Sequence, residues 1–225
     1  MTSTELKAGR IVGALILVQI AGGAFLNFGL LGPVFAPPGF LENAAGHPTV
    51  MGIAALLGIA LGVVSLGIAI AAWPVFSKHS QRFALWVLAF STASLALATL
   101  ESGTVLSLRS LSENYHAPGA DVALFAALRG VVAAARNWAH YTHLIVAGLL
   151  FLSFYSLLYR FALVPRALAA FGMFAALCQL TAVSMPLFGH PIIFALLSPL
   201  GLSHLALAIW LLVKGFRDTT PTHLG

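Results

Sequence analysis

Long apolar stretches alternate with short polar segments along almost the whole chain. A helix needs about 20 apolar residues to cross a hydrocarbon core about 30 Å thick. The stretches that meet this length are residues 11–34, 49–76, 83–108, 138–161, 167–188 and 192–213. Because they take up most of the 225 residues, the pattern predicts an all-α fold. We expect a single integral membrane domain over residues 1–225, built as a bundle of six transmembrane helices.

The segment 121–137, just before the fourth span, has a different pattern. Asp121, Arg129 and Arg136 recur at spacings of eight and seven residues, which places them on one helical face, and most of the rest is apolar. The segment is too short and too charged to span. It predicts an amphipathic helix that lies on the outer membrane surface and leads into the fourth span.

Composition narrows the class of protein. Apolar residues make up 60% of the chain and charged residues 8%, against roughly 25% charged in a soluble domain. So few charges cannot cover the surface of a soluble protein, which excludes a soluble enzyme and a disordered chain. The pI of 9.9 does not indicate a nucleic-acid partner, because the basic residues stand singly or in pairs at the ends of apolar runs. The expected partner is the lipid bilayer.

The lysines and arginines between the spans predict the orientation. With a cytoplasmic N-terminus, six spans return the C-terminus to the cytoplasm. The cytoplasmic segments then hold Lys7, Arg10, Lys78, Arg82, Arg160, Arg166, Lys214 and Arg217. The outer segments hold Arg109, Arg129 and Arg136. This excess follows the positive-inside rule.

Small residues on the second span indicate close helix packing. Gly58 and Gly62 form a small-xxx-small pair, with Ala54 one turn earlier. We expect another helix to approach this face, either within the chain or from a second copy or another membrane subunit.

Glu101 is the acidic residue that falls inside a predicted span. It lies roughly 10 Å from the outer end of the third span, and Ser91, Ser94 and Ala98 share its helical face. An ionisable group at this depth is costly unless it is paired, so it is a candidate functional residue.

Histidines concentrate toward the same side of the membrane. His140 and His143 are three residues apart near the outer end of the fourth span, and His204 lies near the middle of the sixth. A closed bundle could bring these three side chains together with Glu101. We therefore expect a polar pocket that opens to the outer face.

Three arrangements fit these residues. In the first, His140, His143 and His204 bind zinc or another divalent metal, and Glu101 is the catalytic base or a fourth ligand of a membrane hydrolase. In the second, histidines of two helices hold haem b. In the third, the polar groups satisfy one another. The last two suit a non-enzymatic binding or accessory subunit, or a structural member of a complex.

The C-terminal half resembles a known family. The segments Leu157-Leu158-Tyr159-Arg160, Leu163-Val164-Pro165-Arg166-Ala167-Leu168 and Leu207-Ala208-Ile209-Trp210-Leu211-Leu212-Val213-Lys214-Gly215-Phe216 are similar to those of a bacterial multi-pass membrane family catalogued as domain of unknown function number 4386. The resemblance implies the bacterial inner membrane and no particular activity. Two regions depart from the family pattern, so the chain resembles a divergent member. The third span has Ser91-Thr92-Ala93-Ser94 where the family often has an arginine and a glutamate, and the sixth has His204 where the family often has an acidic residue.

Overall fold

The apolar stretches fold into long helices. The structure, a computed structural model, describes residues 3–217, so the predicted cytoplasmic C-terminus lies outside the described residues. No strand occurs in this range. The main helices are α1 Ser3–Ala24, α4 Pro48–His79, α5 Gln81–Tyr115, α6 Val122–Arg160, α7 Arg166–Ser184 and α8 Ser198–Lys214.

Short helical segments complete the chain. A π-helical turn and two single-turn α-helices follow α1, and 3₁₀ turns flank the loop between α7 and α8. These segments are the π-helix Phe25–Leu31, α2 Gly32–Phe35, α3 Phe40–Asn43, and the 3₁₀ turns Met185–Phe188 and Phe194–Leu197.

The six predicted spans are confirmed as helices. Among the described residues, six helical runs are long and apolar enough to cross a membrane: Thr4–Phe35, Pro48–His79, Gln81–Tyr115, Val122–Arg160, Arg166–Phe188 and Phe194–Lys214. The all-α prediction is therefore correct, and the protein has the character of a multi-pass membrane protein.

The third and fourth helices extend beyond the predicted spans. Helix α5 continues past residue 108 through a polar turn in which Arg109 Nε donates to Glu113 Oε1 at 2.6 Å. Within the segment 121–137, residues 122–137 are helical, as expected, and they are the beginning of α6 and not a separate element. No proline lies between residues 122 and 160 to interrupt the helix.

The described residues form two compact units. The terminal unit comprises residues 3–20, 64–93 and 144–217, and the central unit comprises 21–63 and 94–143. Helices α4, α5 and α6 each contribute to both units, so the single-domain assignment stays a prediction.

The terminal unit has a core of apolar residues from α1 and from α4 to α8. Two backbone hydrogen bonds hold its C-terminal residues in place. Phe216 N donates to Glu5 O near the N-terminus at 3.4 Å, and Arg217 N donates to Leu163 O at 2.8 Å. Gly172 of α7 packs directly against the ring of Tyr155, a side chain that is only 1% exposed.

The central unit packs the segment after α1 against α4, α5 and α6. The buried hydroxyl of Ser112 anchors this segment, because it donates to Leu41 O at 2.7 Å and accepts from Ala45 N at 2.8 Å. Asn43 Nδ2 donates to Ala36 O at 2.8 Å and so closes the turn at Pro37 and Pro38. These bonds hold Phe35 and Phe40 in place.

The small-residue face of α4 is used inside the chain. A side-chain carbon at Gly58 would meet Ser102 Oγ at 2.7 Å, and one at Gly62 would meet Leu95 Cδ1 at 2.9 Å. The helix that approaches this face is therefore α5 of the same unit. Association with a second copy or another subunit through Gly58 and Gly62 stays a prediction.

Replacing Gly172 by alanine should destabilise the protein by about 2 kcal/mol, because the new methyl group would overlap the ring of Tyr155. Gly103→Ala in α5 is the matched control, since nothing lies within 4 Å of its added carbon and alanine is the better helix former. Unfolding in mixed detergent micelles measures both variants. Equal stability of the two would contradict the packing described here.

Candidate functional site

A hydrogen-bonded polar cluster forms around the carboxylate of Glu101 in the central unit. His140 Nδ1 donates to Glu101 Oε1 at 2.7 Å, and His143 Nδ1 donates to Glu101 Oε2 at 2.9 Å. The three side chains are mostly buried, with 16% of Glu101 exposed and 22–24% of each histidine. We call these residues, together with Arg136 and Ser94, the Glu101 cluster.

Local helix geometry explains how the two imidazoles reach one carboxylate. His140 and His143 are separated by three residues on α6, so their side chains project from the same face. Glu101 lies opposite on α5 and presents one oxygen to each ring. The predicted grouping of these three residues is therefore present.

Two further residues complete the Glu101 cluster. Arg136, one turn before His140, places Nη2 3.8 Å from Glu101 Oε1 and is 13% exposed. Ser94 Oγ lies 3.0 Å from His143 Nε2. Because His143 Nδ1 faces Glu101, Nε2 is the ring nitrogen that forms the hydrogen bond with the Ser94 hydroxyl. The cluster is a chain of charge-assisted hydrogen bonds that keeps a carboxylate stable among apolar helices.

His204 lies in the terminal unit and has other partners. Its Nδ1–H donates to Leu200 O at 2.9 Å, and its ring packs edge-on against Phe151 at 4.5 Å and Tyr155 at 5.6 Å. Among residues 3–217, no group of three or more His, Cys, Asp or Glu side chains is arranged to hold a metal ion, so metal binding stays a prediction.

A small cavity of about 50 Å³ adjoins His204 in the terminal unit. Ser91 and Gln19 also line it, and within the described part of the chain neither Ser91 Oγ nor Gln19 Oε1 has a hydrogen-bond partner. The two serines that share the helical face of Glu101 on α5 therefore have different surroundings. Ser91 contributes to this cavity, while Ser94 belongs to the Glu101 cluster.

A second, larger cavity lies in the central unit beside Arg136. Its volume is about 200 Å³, and its walls combine charged, polar and apolar side chains. They are Phe35, Gly39, Phe40, Leu108, Arg129, Ala133, Arg136 and Asn137. Arg136 joins this cavity, which we call the arginine cavity, to the Glu101 cluster.

Ser94 and Ser91 provide a matched test of the hydrogen-bond chain, because both are buried on α5, one turn apart. Ser94→Ala should cost about 1 kcal/mol of stability, since it removes the hydrogen bond between the Ser94 hydroxyl and His143 Nε2. Ser91→Ala should change stability by less than about 0.5 kcal/mol, because its hydroxyl has no partner to lose. Detergent unfolding of both variants measures the difference, and a larger loss in Ser91→Ala would contradict the assignment.

Comparison with known proteins places the chain in a family. No curated protein and no solved structure matches it. A family model described as Domain of unknown function (DUF4386) matches residues 11–215, a range that includes the Glu101 cluster and the arginine cavity. The chain therefore belongs to the DUF4386 family, as its C-terminal segments indicate.

Proposed function

We propose that the protein is a non-enzymatic membrane binding protein whose ligand site is the arginine cavity supported by the Glu101 cluster. The observation that carries this proposal is the state of the Glu101 carboxylate, since each oxygen already accepts a hydrogen bond from an imidazole. A carboxylate held in this way acts as a fixed counter-charge for Arg136. It keeps a guanidinium in place at the wall of the cavity.

A metal-dependent hydrolase, with Glu101 as base, is the rival proposal. It requires imidazole nitrogens that converge on one ion and a carboxylate free to accept a proton from bound water. Because Nδ1 of His140, His143 and His204 is already hydrogen-bonded, an ion could use only Nε2 of each ring. Nε2 of His143 is engaged by Ser94 Oγ at 3.0 Å. Haem b is less favoured still, because the two clustered histidines are on one helix, whereas bis-histidine ligation draws on two helices.

Serine-based acyl transfer is a further alternative, because Ser94, His143 and Glu101 follow the order of nucleophile, base and orienting carboxylate. Two features argue against it. Ser94 is 2% exposed, which leaves little room for a substrate. It also lies in the interior of α5, where the neighbouring backbone N–H groups are used by the helix and cannot stabilise an oxyanion.

Metal analysis tests the binding proposal against the hydrolase. Protein purified in mild detergent without chelator should contain no stoichiometric zinc or iron and show no Soret band. EDTA should leave its thermal midpoint unchanged, because the imidazoles are held by Glu101 and not by an ion. The proposal fails if near-stoichiometric metal is found and is lost in the His140→Ala, His143→Ala double variant.

The proposal includes an orientation in the bacterial inner membrane, with both termini in the cytoplasm and the arginine cavity toward the outer face. The distribution of lysine and arginine supports it. A reporter active only outside the cytoplasm should be inactive at the C-terminus and active when inserted at 117–119, between α5 and α6. The opposite pattern would reverse the orientation.

A further inference from the structure

The arginine cavity has the composition of a site for an amphipathic anion. Phe35, Phe40, Leu108 and Ala133 supply apolar wall, while Arg129, Arg136 and Asn137 supply hydrogen-bond donors. A volume of about 200 Å³ exceeds the roughly 30 Å³ that one water molecule takes up in the liquid. The cavity can therefore hold a polar group with several heavy atoms.

The positive charge in this cavity is only partly balanced. Glu101, 3.8 Å from Arg136, offsets one of the two guanidinium charges. No carboxylate is among the described residues that line the cavity. Glu42, which is close in sequence to Gly39, lies 3.7 Å from His116. Arg129 thus lines the cavity without a carboxylate partner among the described residues.

Both guanidinium groups retain unused donors. Arg136 Nε is buried and has no hydrogen-bond partner among residues 3–217. The one hydrogen bond found for Arg129 in the described structure runs from Nη2 to Pro38 O, at 3.5 Å. Arginine presents its N–H groups as a planar fork that matches the oxygens of a phosphate or carboxylate.

The backbone at Gly39 is shaped for the approach of Arg129. Gly39 has φ +113°, and a side-chain carbon there would lie 2.8 Å from Arg129 Nη2. Any other residue would both strain the backbone and displace the guanidinium. The glycine therefore lets Arg129 close one side of the cavity.

The predicted fourth span places the cavity near the lipid headgroups. This span begins at residue 138, so Arg136 lies roughly 3 Å and Arg129 roughly 14 Å beyond its outer end, at 1.5 Å per residue. The hydrocarbon core is about 30 Å thick and the whole bilayer about 45 Å, which leaves a headgroup layer of about 7 Å on each side. Arg136 therefore falls in the headgroup layer, and Arg129, which lines the same cavity, lies on its aqueous side.

We propose that Arg129 and Arg136 bind the phosphodiester monoanion of a phospholipid headgroup, with the apolar wall of the arginine cavity against its glycerol and upper acyl carbons. This inference rests on the proposed binding function and names its ligand class. The guanidinium of Arg129, which has no carboxylate partner among the described residues, suits a phosphodiester, which carries one negative charge. A soluble phosphate ester would offer the same oxygens to the two guanidinium groups, so the experiment must distinguish it from a phospholipid.

The experiment compares wild type, Arg129→Gln and Arg109→Gln in a neutral detergent. Arg109 is the matched control, because it lies on the surface of the same unit and pairs with Glu113. Arg129 is chosen over Arg136 because it takes no part in the Glu101 cluster. Native mass spectrometry measures binding of phosphatidylglycerol, its deacylated headgroup glycerophosphoglycerol, and oleate, a carboxylate amphiphile. Thermal unfolding verifies that each variant is folded.

Phosphatidylglycerol should bind wild type and Arg109→Gln equally, and Arg129→Gln at least about tenfold more weakly, because one charge-assisted contact is lost. Equal binding to both variants would overturn the proposal. Headgroup binding as tight as that of the lipid would assign the site to a soluble phosphate ester instead. If only oleate binds, with the same dependence on Arg129, the phosphodiester is wrong as the ligand class but the proposed binding function stands. Stoichiometric metal in the purified protein would contradict the binding function itself.

Discussion

A carboxylate inside a membrane helix must find its hydrogen bonds within the protein, and this requirement organises the central unit. Glu101 meets it with two imidazole donors and a guanidinium. Each donor has consequences of its own, since His143 engages the hydroxyl of Ser94 and Arg136 forms part of a cavity wall. A single buried charge thus links the interior of α5 and α6 to the wall of the arginine cavity.

The same requirement explains why the cluster has several members. A carboxylate taken out of water is costly unless it is paired and hydrogen-bonded. Each oxygen of Glu101 accepts one hydrogen bond from an imidazole, and Arg136 places a positive charge beside one of them. Removing an imidazole would leave a polar group without its partner in apolar surroundings.

Much of the fold could be predicted from the sequence, because transmembrane length and hydropathy are local properties of the chain. The third and fourth helices proved longer than their apolar stretches, since a helix continues through polar residues that bond locally, as Arg109 and Glu113 do. The site was only partly predictable. Spacing on one helix identified His140 and His143, and depth identified Glu101. The distance to His204 depends on how helices are arranged, which periodicity does not encode. Helical spacing could also have assigned two further residues to the Glu101 cluster. Arg136 lies four residues before His140, and Ser94 lies seven residues before Glu101.

The hydrogen bonds that fasten the two ends of the terminal unit also constrain the order of assembly during synthesis. The hydrogen bonds from Phe216 N to Glu5 O and from Arg217 N to Leu163 O form only when residues 216 and 217 have been made. The central unit, by contrast, contains no residue beyond 143. Domains generally assemble in the order in which the ribosome supplies them. The part of the protein that holds the Glu101 cluster can therefore fold before Phe216, which donates a hydrogen bond to α1, has been made.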